Sequence, residues 1–174
     1  MSTNSTDMGE PATFAQGDLR LLDSDIAKRL LTSSVPARLA YTSTDGTPRV
    51  VPTWFHWTGE ELVMPTFVAA PHVSGPARRL GALRANPAVA IAIDTETFPH
   101  DVLLIRGRAS VTEFAGVLPE HAAAARRYMG EHAAGDYLAQ LDQPGTRMAR
   151  IAVRPDWVGA LDFRTRFPGG LTPP

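Results

Sequence analysis

The sequence predicts a mainly β domain, a small antiparallel barrel of six strands with peripheral helices. Apolar runs recur along the chain, and the first two are joined by an Asp-Gly turn, the strongest short-range hairpin signal. The helical stretches fall between strands without the regular alternation of a parallel βαβ sheet. With 174 residues, 44% hydrophobic and 20% charged, the chain is long enough for one domain with a real core.

Residues 1–17 are small, polar and aperiodic, and are assigned to a flexible N-terminal arm; residues 18–167 form the domain and 168–174 a C-terminal tail. "LLDSDIAKRLLTSS" places an Asp/Ser cap before Ile26, Leu30 and Leu31, the spacing of a short amphipathic helix. "ARLAYTS", "RVVPTWFHW" and "ELVMPTF" then read as three strands of a meander. Pro52 and Pro65 fall inside two of them; each removes a ladder donor, which places both where the barrel opens. "GPARRLGALRANP" is a short helix with Pro76 in its first turn and Asn86-Pro87 as its stop. "AVAIAIDTE" and "DVLLIRGRASVTEF" are the next two strands, followed by an alanine-rich helical stretch interrupted at Gly130 and Gly135. "RMARIAVRPDWVGALDF" supplies the last long strand.

The charge of the short helix stands out. Arg78 and Arg79 lie in its first turn, where exposed N–H groups already disfavour cations by a few tenths of a kcal/mol. A phosphate bound at that end would reverse the sign, using both guanidinium groups; side chains reaching into solvent are the plainer alternative.

Other chemistries find little support. A net charge of −1 lacks the basic excess of a nonspecific nucleic-acid binder. The absence of cysteine excludes disulfides, thiolate metal sites and cysteine nucleophiles. No apolar run reaches membrane-spanning length and no signal peptide is evident, so a cytoplasmic protein with neither membrane nor nucleic-acid partner is expected. His56, His72, His100, His121 and His132 show no metal-ligand spacing, so no metal is predicted and each is read as a surface or hydrogen-bonded residue. Asp94, Glu96 and Asp101 are read as solvated residues near a loop between strands. Hydrolase-elbow, Walker and dinucleotide-binding glycine motifs do not occur.

The order of the hairpin, the strand ending at Thr66 and the arginine-led helix resembles the pyridoxamine 5'-phosphate oxidase-like, FMN-binding split-barrel family, over roughly residues 24–163. The family includes a branch that uses the deazaflavin coenzyme F420. The resemblance implies a six-stranded antiparallel split barrel and a homodimer with cofactor at the subunit boundary. It further implies that Arg49, Val50, Val51, Pro52, Thr53 and Trp54 run along the flavin, that Thr66, Arg78 and Arg79 hold the cofactor phosphate, and that Trp157 covers the cofactor from the partner subunit. Gly107 and Arg108 match a glycine-basic pair of a later family strand. "FVAAPHVSGPA", between Thr66 and Arg78, is longer than the family's usual connection, and residues 67–76 are expected to form a mobile flap beside the cofactor. Val102 replaces the glutamine common in the vitamin oxidases, and the substrate-phosphate cluster has no counterpart, which disfavours a pyridoxamine-phosphate oxidase proper. The expected activity is flavin- or deazaflavin-dependent redox of a small molecule, with FMN and F420 both open. Storage of a flavin, F420 or a tetrapyrrole is the rival reading, and no catalytic residue is assigned.

Overall fold

In the computed structural model, residues 14–73 and 75–164 are described. A 3-10 turn, Leu19–Asp23, leads into α1 (Asp25–Thr32), whose Ser24 N-cap accepts the Ala27 N–H. The strands are β1 (Ala37–Thr42), β2 (Pro48–Thr53), β3 (His56–Trp57), β4 (Leu62–Ala69), β5 (Ala88–Asp94), β6 (Asp101–Ala115) and β7 (Arg147–Asp162). Helix α2 (Arg79–Ala85) lies between β4 and β5, and α3 (Pro119–Met129) and α4 (Glu131–Leu141) between β6 and β7.

All seven strands form one antiparallel sheet in the order β2-β1-β5-β6-β7-β4-β3. Six were expected. The difference arises at Trp54-Phe55, where the anticipated second strand breaks: its first part pairs with β1, and the two residues after the break pair with β4. Because β2 and β3 occupy opposite ends of the sheet yet are joined by two residues, the sheet curls into a barrel with a slot left between β2 and β4. Phe55, fully buried, anchors the corner.

The long β6-β7 pair bends where pairing shifts register between Arg106 and Gly107. A Cβ on Gly107 would stand 2.5 Å from the Arg154 carbonyl oxygen, so the close approach of the two backbones requires glycine. Side chains alternate along β5 and β6, with Val89, Ile91, Ile93, Leu103 and Ile105 facing the core. Leu30 and Leu31 of α1, and Leu80 and Leu83 of α2, complete it.

Three local expectations change. The alanine-rich stretch breaks only at Gly130; Gly135 lies inside α4. Phe67, Val68 and Ala69 belong to β4 with Val68 in the core, so only the later part of the expected flap is loop; Ala70 bridges to Val73, and Ser74 lies outside the described residues. Asp101 is no solvated turn residue: it is 4% exposed and accepts hydrogen bonds from Arg29 and Arg164, each at 2.7 Å, joining α1 to the start of β6 and the end of β7. Burial alone would raise its pKa, but the two guanidinium groups outweigh it and hold the carboxyl below its ordinary range. Of the expected N-terminal arm, residues 1–13 lie outside the described residues, while Gly17 N–H and the Gln16 amide donate to carbonyls of β7.

Candidate functional site

The slot follows from the two prolines. Pro52 pairs with Arg38 on the β1 side and Pro65 with Arg150 on the β7 side, and the opposite edge of each strand is unpaired there. Neither proline has an N–H to offer, which keeps the edges from zipping together. Between them lies a cavity of about 350 Å³ lined by Pro36, Pro52, Thr53, Trp54, Pro65 and His121.

Next to Pro65, the Thr66 side chain turns to the opposite face, where its Oγ1 accepts a hydrogen bond of 2.7 Å from Arg79 Nη2. Thr66 is buried and Arg79 half-buried. Burial lowers the Arg79 pKa, opposed by Tyr41, and no carboxylate pairs with this guanidinium among the described residues. Arginine remains charged regardless, so the cation is partly desolvated without a counterion. The neighbouring Arg78 differs: it is the exposed N-cap residue of α2, and the helix begins at Arg79, three residues after Pro76, which lies outside it rather than in its first turn. The two arginines, adjacent in sequence, are thus unequal in space.

Helix α3 walls the other side of the slot. Trp54 stacks on Tyr128, with ring centroids 4.9 Å apart and planes 4° from parallel, and on His121 at 6.2 Å. Those two residues are seven apart, about 10.5 Å along a helix, so the indole is clamped between them. His121 is 6% exposed, and its Nε2 lies 3.0 Å from Tyr137 Oη on α4. Burial holds its pKa down to about 4, and the imidazole is neutral at physiological pH. Glu120, next to it, accepts from Arg150, which also donates to Glu61 and so pins the start of α3 to β7 and to the β3-β4 turn. His121 escapes sequence reading because no ligand motif surrounds it. The signal that was available is the stripe of buried His121, Ala124 and Ala125 and partly buried Tyr128, which has the inward spacing of an amphipathic helix.

No family model and no curated protein sequence matches the chain. Solved structures do. A conserved hypothetical protein from Mycobacterium tuberculosis matches with a TM-score of 0.61 at 15% identity, over 95% of this chain and 98% of that one. An F420 reductase matches with a TM-score of 0.51 at 25% identity, over 75% and 93%. A protein from Clostridium acetobutylicum, related to general stress protein 26 and described as of the pyridoxinephosphate oxidase family, matches with a TM-score of 0.50 at 12% identity, over 82% and 88%.

The fold is that of the pyridoxamine 5'-phosphate oxidase-like split barrels.

Within this split barrel the residues expected at the cofactor are not all brought together. Pro52, Thr53 and Trp54 line the slot cavity, and Thr66 meets Arg79 on the adjoining face of β4. Val51 turns inward and packs against the core. Arg49 and Val50 sit at the far end of β2: Arg49 pairs with Asp45 at 3.0 Å, and Val50 is 66% exposed. Trp157 lies on the outer face of β7, its ring 4.1 Å from the Arg106 guanidinium, lining with Val50 a second cavity of about 310 Å³. One chain therefore does not bring Trp157 to the cavity between the prolines.

Proposed function

We propose that this split barrel binds a flavin or deazaflavin along the slot between β2 and β4 and serves as an oxidoreductase, with the cofactor phosphate held by Arg79 and Thr66. The observation that carries the reading is the half-buried Arg79 with a hydroxyl but no carboxylate beside it among the described residues. A desolvated cation without a partner is costly, and a phosphate is the anion whose oxygens match both a guanidinium fork and a hydroxyl. Arg78, exposed at the mouth of α2, adds a second charge from outside. FMN and F420 both present such a phosphate, and similarity to an F420 reductase favours including the deazaflavin.

The bound cofactor would supply the hydride or electron chemistry. The chain's part is to hold the phosphate, to offer the backbone of Pro52-Thr53-Trp54 as a rigid edge, and to exclude water with α3. The outer sheet face supports the homodimer reading. Ala40, Val50, Ala90, Ala92 and Leu104 give it a stretch of small and apolar side chains, shared with Arg38 and Arg106, against which a second barrel can pack.

Absorbance titration with FMN and with F420 separately tests the proposal. One of them binds, and Arg79→Ala weakens it by about tenfold or more, corresponding to a charge-assisted contact of roughly 1.5–3 kcal/mol. Arg78→Ala weakens it less. A folded Arg79→Ala protein with parental affinity overturns the phosphate assignment. Reduction of the bound cofactor followed by reoxidation by a small-molecule acceptor identifies an oxidoreductase, and a cofactor that binds without turnover identifies a carrier.

A further inference from the structure

The corner between β2 and β3 takes two backbone carbonyls out of the sheet. Trp54 and Phe55 pair with neither β1 nor β4, and Phe55 is fully buried, so water cannot replace the missing ladder. The Trp54 carbonyl accepts from the Thr53 hydroxyl at 3.2 Å. The Phe55 carbonyl accepts from Arg127 Nη2, brought by α3 from 72 residues away. That guanidinium lies over the Phe55 ring at 4.4 Å and over the Tyr128 ring at 4.9 Å. No carboxylate pairs with it among the described residues, and its Nε is the one buried side-chain polar atom among them without a hydrogen-bond partner. A half-buried cation in this state is costly, and an apolar side chain would fill the same space, so packing does not account for it. The carbonyl does. The next residue ties the other side of the slot: Tyr128 stacks on Trp54 at 4.9 Å, and its hydroxyl donates to the Val35 carbonyl at 3.1 Å. Val35 precedes Pro36, which lines the slot with Pro52, Thr53 and Trp54. Two adjacent residues of α3 therefore grip both the chain leaving β2 and the chain entering β1.

We propose that Arg127 is a positioning residue for the cofactor: by holding the Phe55 carbonyl it fixes the Trp54 backbone and indole that form one wall of the slot. This rests on the reading that a flavin or deazaflavin lies along that wall, and it names what keeps the wall in place. Arg127 does not itself line the slot, so it acts through Phe55 and Trp54. Without the guanidinium the Phe55 carbonyl is left buried and unpaired, and the corner relieves this by turning that peptide toward water, carrying Trp54 with it. A wall that must be re-formed on binding lowers affinity although no contact to the cofactor has been removed.

Titration of full-length variants with FMN and with F420 tests the proposal. Arg127→Met keeps an apolar stem and removes the donors; it weakens the cofactor that the parent binds by about fivefold or more. Arg127→Lys, which keeps a charged donor for the carbonyl, restores affinity to within about threefold of the parent. Arg29→Met, whose parental ion pair is with Asp101 and which does not line the slot, leaves affinity unchanged. In the cofactor-free protein the Trp54 indole N–H NMR signal, assigned with Trp54→Phe, moves in Arg127→Met and returns toward its parental position in Arg127→Lys. One readout needs no variant: by the reciprocity of linkage, a cofactor helped by this hold also tightens it, so hydrogen exchange at Arg127 Nε–H slows severalfold when the cofactor binds the parent. Parental affinity in folded Arg127→Met, a lysine variant no better than the methionine one, an equal loss in Arg29→Met, an unmoved Trp54 signal, or unaltered Nε–H exchange each overturns the positioning role. Loss of affinity in Arg79→Ala but not in Arg127→Met removes this proposal and leaves the cofactor reading standing, whereas a parent that binds neither cofactor removes both.

Discussion

Gly107 shows how one residue sets the curvature on which the slot depends. Replacing it with alanine drives a Cβ to 2.5 Å from the Arg154 carbonyl oxygen and 2.8 Å from Val153, contacts only a backbone shift can relieve. Overpacking of this kind costs about 1–3 kcal/mol, so thermal denaturation of Gly107→Ala should show a midpoint lower by roughly 2–12 °C. An unchanged midpoint would mean the bend tolerates a side chain. His121 makes a different prediction. Its folded pKa of about 4 lies below its ordinary 6.5, so between those values the unfolded chain binds more protons than the folded one. Its contribution is therefore complete above pH 6.5 and is lost as pH falls toward 4, in total about 3 kcal/mol. The rings around it, Trp54 stacked, Phe67 edge-on and Tyr137 tilted, are uncharged and offer no carboxylate to favour the imidazolium. Urea titrations from pH 4 to 7 should show parental stability rising more steeply with pH than that of His121→Phe; parallel profiles would refute the neutral imidazole.

At the scale of elements, α3 is positioned by Arg150 as much as by its aromatic stripe. Arg150 Nε contacts Glu120 at 2.8 Å and Nη2 contacts Glu61 at 2.9 Å, with all three side chains mostly shielded from solvent. Removing the guanidinium leaves two acids facing each other, so Arg150→Met should lose about 1–2 kcal/mol at pH 7 by denaturant titration. Burial would raise the Glu120 pKa, but Arg150 outweighs it and holds it below the ordinary value. The parental advantage is accordingly full above about pH 4.5 and fades as Glu120 is protonated below it. A difference independent of pH would assign Arg150 a packing role only.

For the whole molecule, the outer sheet face bears on assembly. Ala90 is exposed at the centre of β5, flanked by Ala40 of β1 and Arg106 of β6 in register. Val50 nearby is 66% exposed. If a second copy covers this face, light scattering at micromolar concentration gives twice the 18.8 kDa of the chain, and Ala90→Glu, which buries a charge in each half of a two-fold contact, gives a monomer. A parental monomer with cofactor bound would refute the dimer.

The sequence by itself determined the mainly β class, the strand and helix order, the opening at Pro52 and Pro65, and the oddity of cations at the start of α2. These are local matters: alternation, turn chemistry and missing donors act over a few residues. Tertiary structure decided what depends on distant partners. It split one expected strand at Trp54-Phe55, because the two parts pair with β1 and β4 on opposite sides of the barrel. It made Arg79 an inward cation without a carboxylate partner among the described residues and Arg78 an exposed one, a distinction set by Thr66, thirteen residues away. It turned Asp101 from a loop acid into a buried junction, through arginines 72 and 63 residues distant. And it brought His121 to the slot, where burial rather than any motif fixes its charge, because desolvation depends on what the fold packs around a side chain and not on its neighbours in sequence.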